Sequence, residues 1–256
     1  MLTRRTALAL LPLTLSGARK PSADRQTEIL RRAAAKALAY TRELPDFICT
    51  ETVRRSDNVR GIGWKLKDVL GIQIGISDRR EYYKLLTYNG RPTKLSYRQV
   101  GGALTEGEFG SLLAEIFRPG VAAFHWHKTM QLAGRSILIF RYRVPPERAT
   151  YHLEYGYRSG KPQSTVVGHS GIVWLDEETA RAVRIEQAAE IPRSFPLKVS
   201  KTILDFAWFD IAGQAWLLPR HASSTMGTAE ILTNNEVDFS DYRKFTADST
   251  VVFEQP

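Results

Sequence analysis

The chain has 256 residues, 43% apolar and 25% charged, which excludes a disordered or collagen-like chain and a disulfide-stapled miniprotein. At this length roughly 70% of the unfolded surface can be buried, so folding needs no metal or disulfide, and the single Cys49 cannot form an internal bridge. The net charge of +9 is uneven, with 20 basic and 9 acidic side chains in residues 1–100 against 16 and 18 in residues 101–256. Such a bias suits an anionic partner such as phosphate, lipid headgroups or acidic glycan. The scatter of the basic residues in singles and pairs argues against nucleic acid.

The N-terminus reads as an export signal: a basic Met1–Arg5, an apolar Ala7–Leu15 and small residues Ser16-Gly17-Ala18 for cleavage. The expected signal peptide is 1–18, extending to about 25 at most on the targeting-segment rule. Thr3-Arg4-Arg5-Thr6-Ala7-Leu8 matches a twin-arginine signal in part, which leaves Sec and Tat export both open. Nine apolar residues span only ~14 Å as a helix, too short for a ~30 Å hydrocarbon layer, and no other stretch approaches the roughly 18 apolar residues a span needs. Loss of Arg4 and Arg5 lowers the charge from +9 to +7 in a mature chain beginning near Arg19.

A helix follows, capped by Ser22 or Asp24 and ended by Pro45, with Leu30, Ala33, Ala34, Ala37, Leu38, Thr41 and Leu44 along one stripe. The narrow Ala-rich stripe suits close packing on a sheet. Strands are expected at Phe47–Arg55, Trp64–Ile76, Tyr82–Tyr88, Ile137–Val144, around Tyr151–Tyr157, and at Ile172–Leu175, Arg181–Gln187, Val199–Phe209, Ala215–Leu218 and Glu236–Tyr242. Asn89-Gly90, Asp176–Ala180 and Gly213-Gln214 are the hairpin turns. Apolar spacing in Glu106–Phe117 predicts one internal helix, closed by Pro119-Gly120. Nine to eleven strands without βαβ alternation predict a mainly β, α+β fold. The expected form is a curled antiparallel sheet, an incomplete barrel whose concave face is plugged by the two helices. Residues 22–256 read as one domain.

Sites for chemistry are sparse. His125-Trp126-His127 offers two same-side histidines, too few for a metal centre. Gly168-His169-Ser170-Gly171 lacks the glycine two residues after the serine that a nucleophile elbow needs, and reads as a turn. Asp176-Glu177-Glu178 sits in a tight hairpin, where its carboxylates are expected to be solvated. No catalytic residue, metal ligand or cofactor is assigned. The tryptophans are more informative, because on a curled sheet some of them line a concave apolar cavity.

The hairpin Gly171-Ile172-Val173-Trp174-Leu175-Asp176-Glu177-Glu178-Thr179-Ala180-Arg181-Ala182-Val183-Arg184-Ile185 resembles the outer-membrane lipoprotein carriers of the LolA and LolB superfamily. Leu44–Thr50 and Val237–Phe245 resemble segments of uncharacterised secreted bacterial proteins placed beside them. The resemblance implies an incomplete barrel with an apolar cavity for lipid, and no enzyme or cofactor. On that basis the chain is expected to be a periplasmic or secreted, non-enzymatic, monomeric domain binding a lipid, lipoprotein acyl chains or another amphiphile. Phe140, Tyr142, Trp174, Trp208 and Trp216 are the cavity candidates. Arg54, Arg55, Arg79 and Arg80 are the candidates for an anionic headgroup. A second reading is an envelope protein-interaction module whose interior is filled by its own side chains. A third is a secreted hydrolase using Ser170 with a histidine.

Overall fold

The computed structural model describes residues 20–77, 80–101, 110–156 and 163–245. The export signal, Arg79 and residues 106–109 of the expected internal helix lie outside them. Helix α1 (Ala23–Glu43) begins where the Ser22 hydroxyl accepts the Arg25 N–H at 3.3 Å, and it stops two residues before Pro45, which cannot donate to a further turn.

Strands β1 (Phe47–Val59), β2 (Trp64–Ser77), β3 (Arg80–Tyr88) and β4 (Arg91–Pro92) form a meander after it, followed by a single turn of helix, α2 (Tyr97–Val100). Helix α3 (Ser111–Phe117) leads into the hairpin β5 (Ala123–Leu132) and β6 (Arg135–Val144), then a 3-10 turn at Pro146–Arg148. The short strands β7 (His152–Tyr155) and β8 (Gln163–Val166) pair with each other as a separate ribbon. The hairpin β9 (His169–Asp176) and β10 (Ala182–Ala189) and the long strands β11 (Val199–Ile211), β12 (Gln214–Gly227) and β13 (Ile231–Lys244) complete the chain.

Eleven strands make one antiparallel sheet in the order β4-β3-β2-β1-β13-β12-β11-β10-β9-β6-β5. Pairing of β1 with β13 brings the first and last strands together in mid-sheet, and β4 and β5 remain as the sheet's edges. Laid flat, eleven strands at ~4.8 Å spacing would extend about 48 Å. Yet Leu85 on β3 and Tyr142 on β6 belong to one core with Ile29, Ala33, Ala37, Tyr40 and Leu44 of α1. The sheet therefore curls around the helix. Register shifts at Ile48/Thr50, Arg55/Ser56, Gly71/Ile72, Trp126/Lys128, Ala182/Arg184 and Asp205/Phe206 mark where strands bend.

The expected fold class holds: a mainly β chain, an open curled sheet, and helices on its concave side. The buried stripe of α1 is rotated by one residue from the expected one. Ile29, Ala33, Ala37, Tyr40 and Leu44 point into the core, whereas Leu38 is exposed and Leu30 and Ala34 are half-buried. The helix presents two small residues to the sheet, Ala33 and Ala37, and Tyr40 fits beyond them because its hydroxyl donates to the Leu217 carbonyl at 2.9 Å. Several strands run longer than the alternation suggests. β12 continues through Pro219 to Gly227, since the half-buried Ser223 and Thr225 and the buried Ser224 side chains bond across the sheet to Glu236, Asn234 and Thr202.

Gly168-His169-Ser170-Gly171 is not a turn. Its last three residues open β9, with His169 paired to Val144 and fully buried. Gly171 there makes space for a neighbour: the Tyr142 hydroxyl donates to the Glu186 carbonyl at 3.0 Å, and an added Cβ would stand 1.8 Å from that carbonyl oxygen. Gly171→Ala is expected to cost roughly 2–4 kcal/mol because backbone must move. Urea unfolding of parent and variant measures it, and an unchanged midpoint would contradict the close approach.

Candidate ligand crevice beneath helix α1

The region of chemical interest lies where α1 crosses β10, β11 and β12. Small residues Ala33 and Ala37 let the helix approach closely, and Phe206, Leu217 and Ala182 form the sheet wall opposite. Leu113 and Phe117 of α3 close one side. The remaining cavity is small, about 20 Å³, and partly open, with the exposed Lys36 and the half-buried Arg181 as the charged residues of its lining. Tyr40 and Phe206 meet edge to face at 6.4 Å in its wall. Burial pushes the Tyr40 hydroxyl well above its ordinary pKa, so it stays neutral as the donor to Leu217.

Arg181 links crevice and surface. Its guanidinium stands 5.9 Å from the centre of the Trp208 ring, and Glu43 Oε2 lies 3.9 Å from it. Trp208 itself is 51% exposed, two residues along β11 from Phe206. The site thus combines an apolar floor, a cationic mouth and an uncovered indole beside the mouth. The lining sets apolar carbon on one side against positive charge on the other.

The acidic turn between β9 and β10 holds α1 over this site. Arg25 donates to Glu177 at 3.1 Å and Arg32 to the Glu178 carbonyl at 2.6 Å. Asp176 is not solvated. It is 2% exposed, accepts the Thr179 N–H and hydroxyl at 2.8 Å each, and takes a two-pronged contact from Arg135. Burial alone would raise its pKa, but Arg135 and Thr179 outweigh that and hold it at about 2. A tight turn does not ensure solvation when an arginine on the adjacent hairpin reaches across it.

Helix α3 has its own anchor. Glu115 accepts the Thr150 N–H at 2.6 Å and hydroxyl at 2.9 Å, and its other oxygen is 3.4 Å from His169 Nε2. Burial opposes ionisation of Glu115, yet the bonds from His169 and Thr150 keep its pKa below the ordinary value. Tyr142 and Tyr151 each present an edge contact to the His169 ring at 5.8 Å. Ser170 is half-buried beside this packed histidine, opposite Arg143 and Ala188.

The residues expected to line a cavity do not gather at one place. Phe140 and Tyr142 are fully buried core residues of β6. Trp174 alternates with the core residues Val173 and Leu175 and stacks with Arg184, 5.4 Å from its ring centre. Trp216 is half-buried opposite Phe209, and Trp208 alone flanks the crevice mouth. The arginines are dispersed as well. Arg54 donates to Asp238 at 2.5 Å on one side of β1. Its neighbour Arg55 is buried, spending its guanidinium on Asp68 at 2.6 and 2.7 Å and on the Gly101 carbonyl. Arg80 is exposed at the start of β3. Lys36 and Arg181 carry the charge at the mouth, and only the four-residue spacing of Ala33 and Ala37 hinted at this location.

Among the described residues no helix is long and apolar enough to cross a membrane, and no three His, Cys, Asp or Glu side chains converge as a metal site. His125 is exposed and His127 half-buried on β5.

No family model and no curated protein matches the chain. Similar solved structures include a LolA superfamily protein from Nitrosomonas europaea, 12% identical with a TM-score of 0.37, covering 86% of this chain and 93% of that one. A putative outer membrane lipoprotein-sorting protein domain from Vibrio parahaemolyticus is 13% identical with a TM-score of 0.38, covering 87% and 94%. A DUF1329 family protein from Desulfovibrio piger is 10% identical with a TM-score of 0.37, covering 86% and 93%. The superfamily that the 171–185 hairpin resembles is thus among the similar structures. At these scores the functional reading rests on this chain's own geometry.

Asp176 supplies a test of how the turn is held. A carboxylate whose pKa falls from 3.8 to about 2 on folding stabilises the fold above pH 4, and the contribution disappears as pH falls through about 2. The difference corresponds to about 2 kcal/mol. Arg135→Gln is expected to lower stability near neutral pH and to converge with the parent at about pH 2, measured by urea unfolding across pH. A constant gap across that range would show that the ion pair does not set it.

Proposed function

We propose that the chain is an exported, non-enzymatic, monomeric domain that binds an amphiphile with an anionic head, such as a lipid or an acylated protein. The tail occupies the crevice beneath α1 and the head meets Lys36 and Arg181. The observation that carries this reading is the convergence of an apolar floor, two basic side chains and an exposed tryptophan at one crevice. The N-terminal export pattern and the resemblance of the 171–185 hairpin to lipoprotein carriers agree with it. A tail of any length needs more than the 20 Å³ present, so binding requires α1 or α3 to yield. The two helices differ in how they are held. The charged ties of α1 are exposed or half-exposed ion pairs, which cost little to break, whereas the half-buried Glu115 of α3 faces the fully buried His169. We therefore assign the yielding element to α1.

The filled interior also favours a second reading, an envelope interaction module that holds no ligand. Native mass spectrometry with organic extraction, followed by titration with a fluorescent fatty acid, separates the two. Ala37→Phe, which occupies the crevice, is expected to weaken fatty-acid binding about tenfold, equivalent to about 1.4 kcal/mol. Lys36→Gln should weaken the fatty acid but not the matching alcohol. Absence of any adduct and of any probe binding, or binding unaffected by both substitutions, would transfer the assignment to the interaction module.

A further inference from the structure

The hairpin joining β1 to β2 ends in Arg60-Gly61-Ile62-Gly63, and its surroundings carry the densest exposed apolar surface of the described residues. Ile62 is 78% exposed, Leu66 63%, Trp64 49% and Val59 47%, and Ile231 at the start of β13 pairs directly with Val59. Trp64 and Leu66 lie two residues apart on β2, opposite Asn58 and Ser56, so they share one side of the ribbon. Ile62 occupies the apex. This finger is held in shape: the Asn58 side chain accepts the Gly63 N–H at 3.2 Å, and the Arg60 N–H donates to the Glu230 carbonyl at 2.7 Å. Gly61 and Gly63 both adopt positive φ, which the tight apex requires.

The charges of the β1–β2 hairpin tip are cationic, with one exposed acid, Glu230, beside Arg60 on the neighbouring β12–β13 turn. From Asn58 to Lys67 the ionisable residues are Arg60, Lys65 and Lys67, with no Asp or Glu among them. Lys67 is 3.5 Å from Asp57 on the adjoining strand. A protruding tip with apolar residues at its apex, an indole one step behind and cations further back matches the layering of an anionic bilayer. Acyl carbons lie deepest, tryptophan prefers the interface, and phosphates meet the lysines and arginines. The tip is convex and therefore offers no enclosure for a single soluble amphiphile. Exposed clusters of this kind mark contact surfaces, and the excess of cations, Arg60, Lys65 and Lys67 against Glu230 and Asp57, favours an anionic lipid surface.

We propose that the β1–β2 hairpin docks the protein on an anionic lipid bilayer by inserting Ile62, Trp64 and Leu66 below the phosphate level. This docking surface shares no residue with the crevice beneath α1, so the two assignments stand or fall separately.

The test is flotation of the full chain with vesicles of phosphatidylcholine, with and without phosphatidylglycerol. The chain should float with the phosphatidylglycerol-containing vesicles and bind neutral ones about tenfold less or weaker still. Ile62→Ser combined with Leu66→Ser should reduce binding about tenfold, and Arg60→Glu combined with Lys65→Glu should do the same on anionic vesicles. Quenching of the intrinsic fluorescence by brominated acyl chains should be lost in Trp64→Phe. Every variant keeps residues 1–18, so the differences read the hairpin, and Ala37→Phe should float like the parent. Should the serine variant lose its circular dichroism, the charge-reversed variant and the Trp64 quenching decide. Failure to float, equal binding to neutral vesicles, or flotation indifferent to the tip substitutions would each overturn the proposal, the first leaving the tip to a protein partner.

Discussion

An open antiparallel sheet of eleven strands cannot hide its own apolar face, and the rest of this structure answers that constraint. Neither edge pairs with the other, so the sheet must curl over something. Helix α1 is that object. Its Ala33 and Ala37 contacts bring it close, while Ile29, Tyr40 and Leu44 fill the wider gaps along the groove. The same closeness that stabilises the core leaves little free space beneath the helix. Any ligand entering there would have to replace contacts the protein already makes with itself, so the proposed binding would be a competition between ligand and helix.

The polar frame explains why that competition is uneven. Arg25, Arg32 and Arg181 reach from the α1 side to the β9–β10 region or back from it, and all three contacts face solvent. Asp176 beneath them is buried and fixed by Arg135 and Thr179. The turn is rigid, and the helix resting on it is held by weaker, screened interactions. Sequence and structure meet here: the acidic run that catches the eye as potential chemistry serves to fasten a helix to a hairpin.

Much of the architecture is legible from residue patterns. Alternation identifies most long strands because one face of each is apolar, and Pro45, Asn89-Gly90 and the spacing of Ala33 and Ala37 mark ends and packing. What escapes is set by side chains that leave no periodic trace. The alternation on β12 dissolves where Ser223, Ser224 and Thr225 bond across the sheet, and the α1 stripe is displaced because Tyr40 finds a carbonyl partner deep inside. Site residues are harder still. Aromatic count cannot distinguish the buried Phe140 and Tyr142 from the exposed Trp208, nor can a run of arginines show that Arg54 and Arg55 point to opposite sides of β1. Lys36 and Arg181 converge through tertiary geometry alone, 145 positions apart in the chain.

The two ends of the large sheet carry a last consequence. One edge, β4, is two residues long and finishes in Pro92, whose nitrogen has no hydrogen to offer a further strand. The other, β5, exposes His125, Lys128 and Gln131 along its length. A sheet that never closes into a ring would otherwise invite end-to-end growth between molecules. A two-residue margin ending in proline and an edge bearing exposed His125, Lys128 and Gln131 are both poor templates for a further strand, so each margin disfavours the end-to-end growth that an open sheet makes possible.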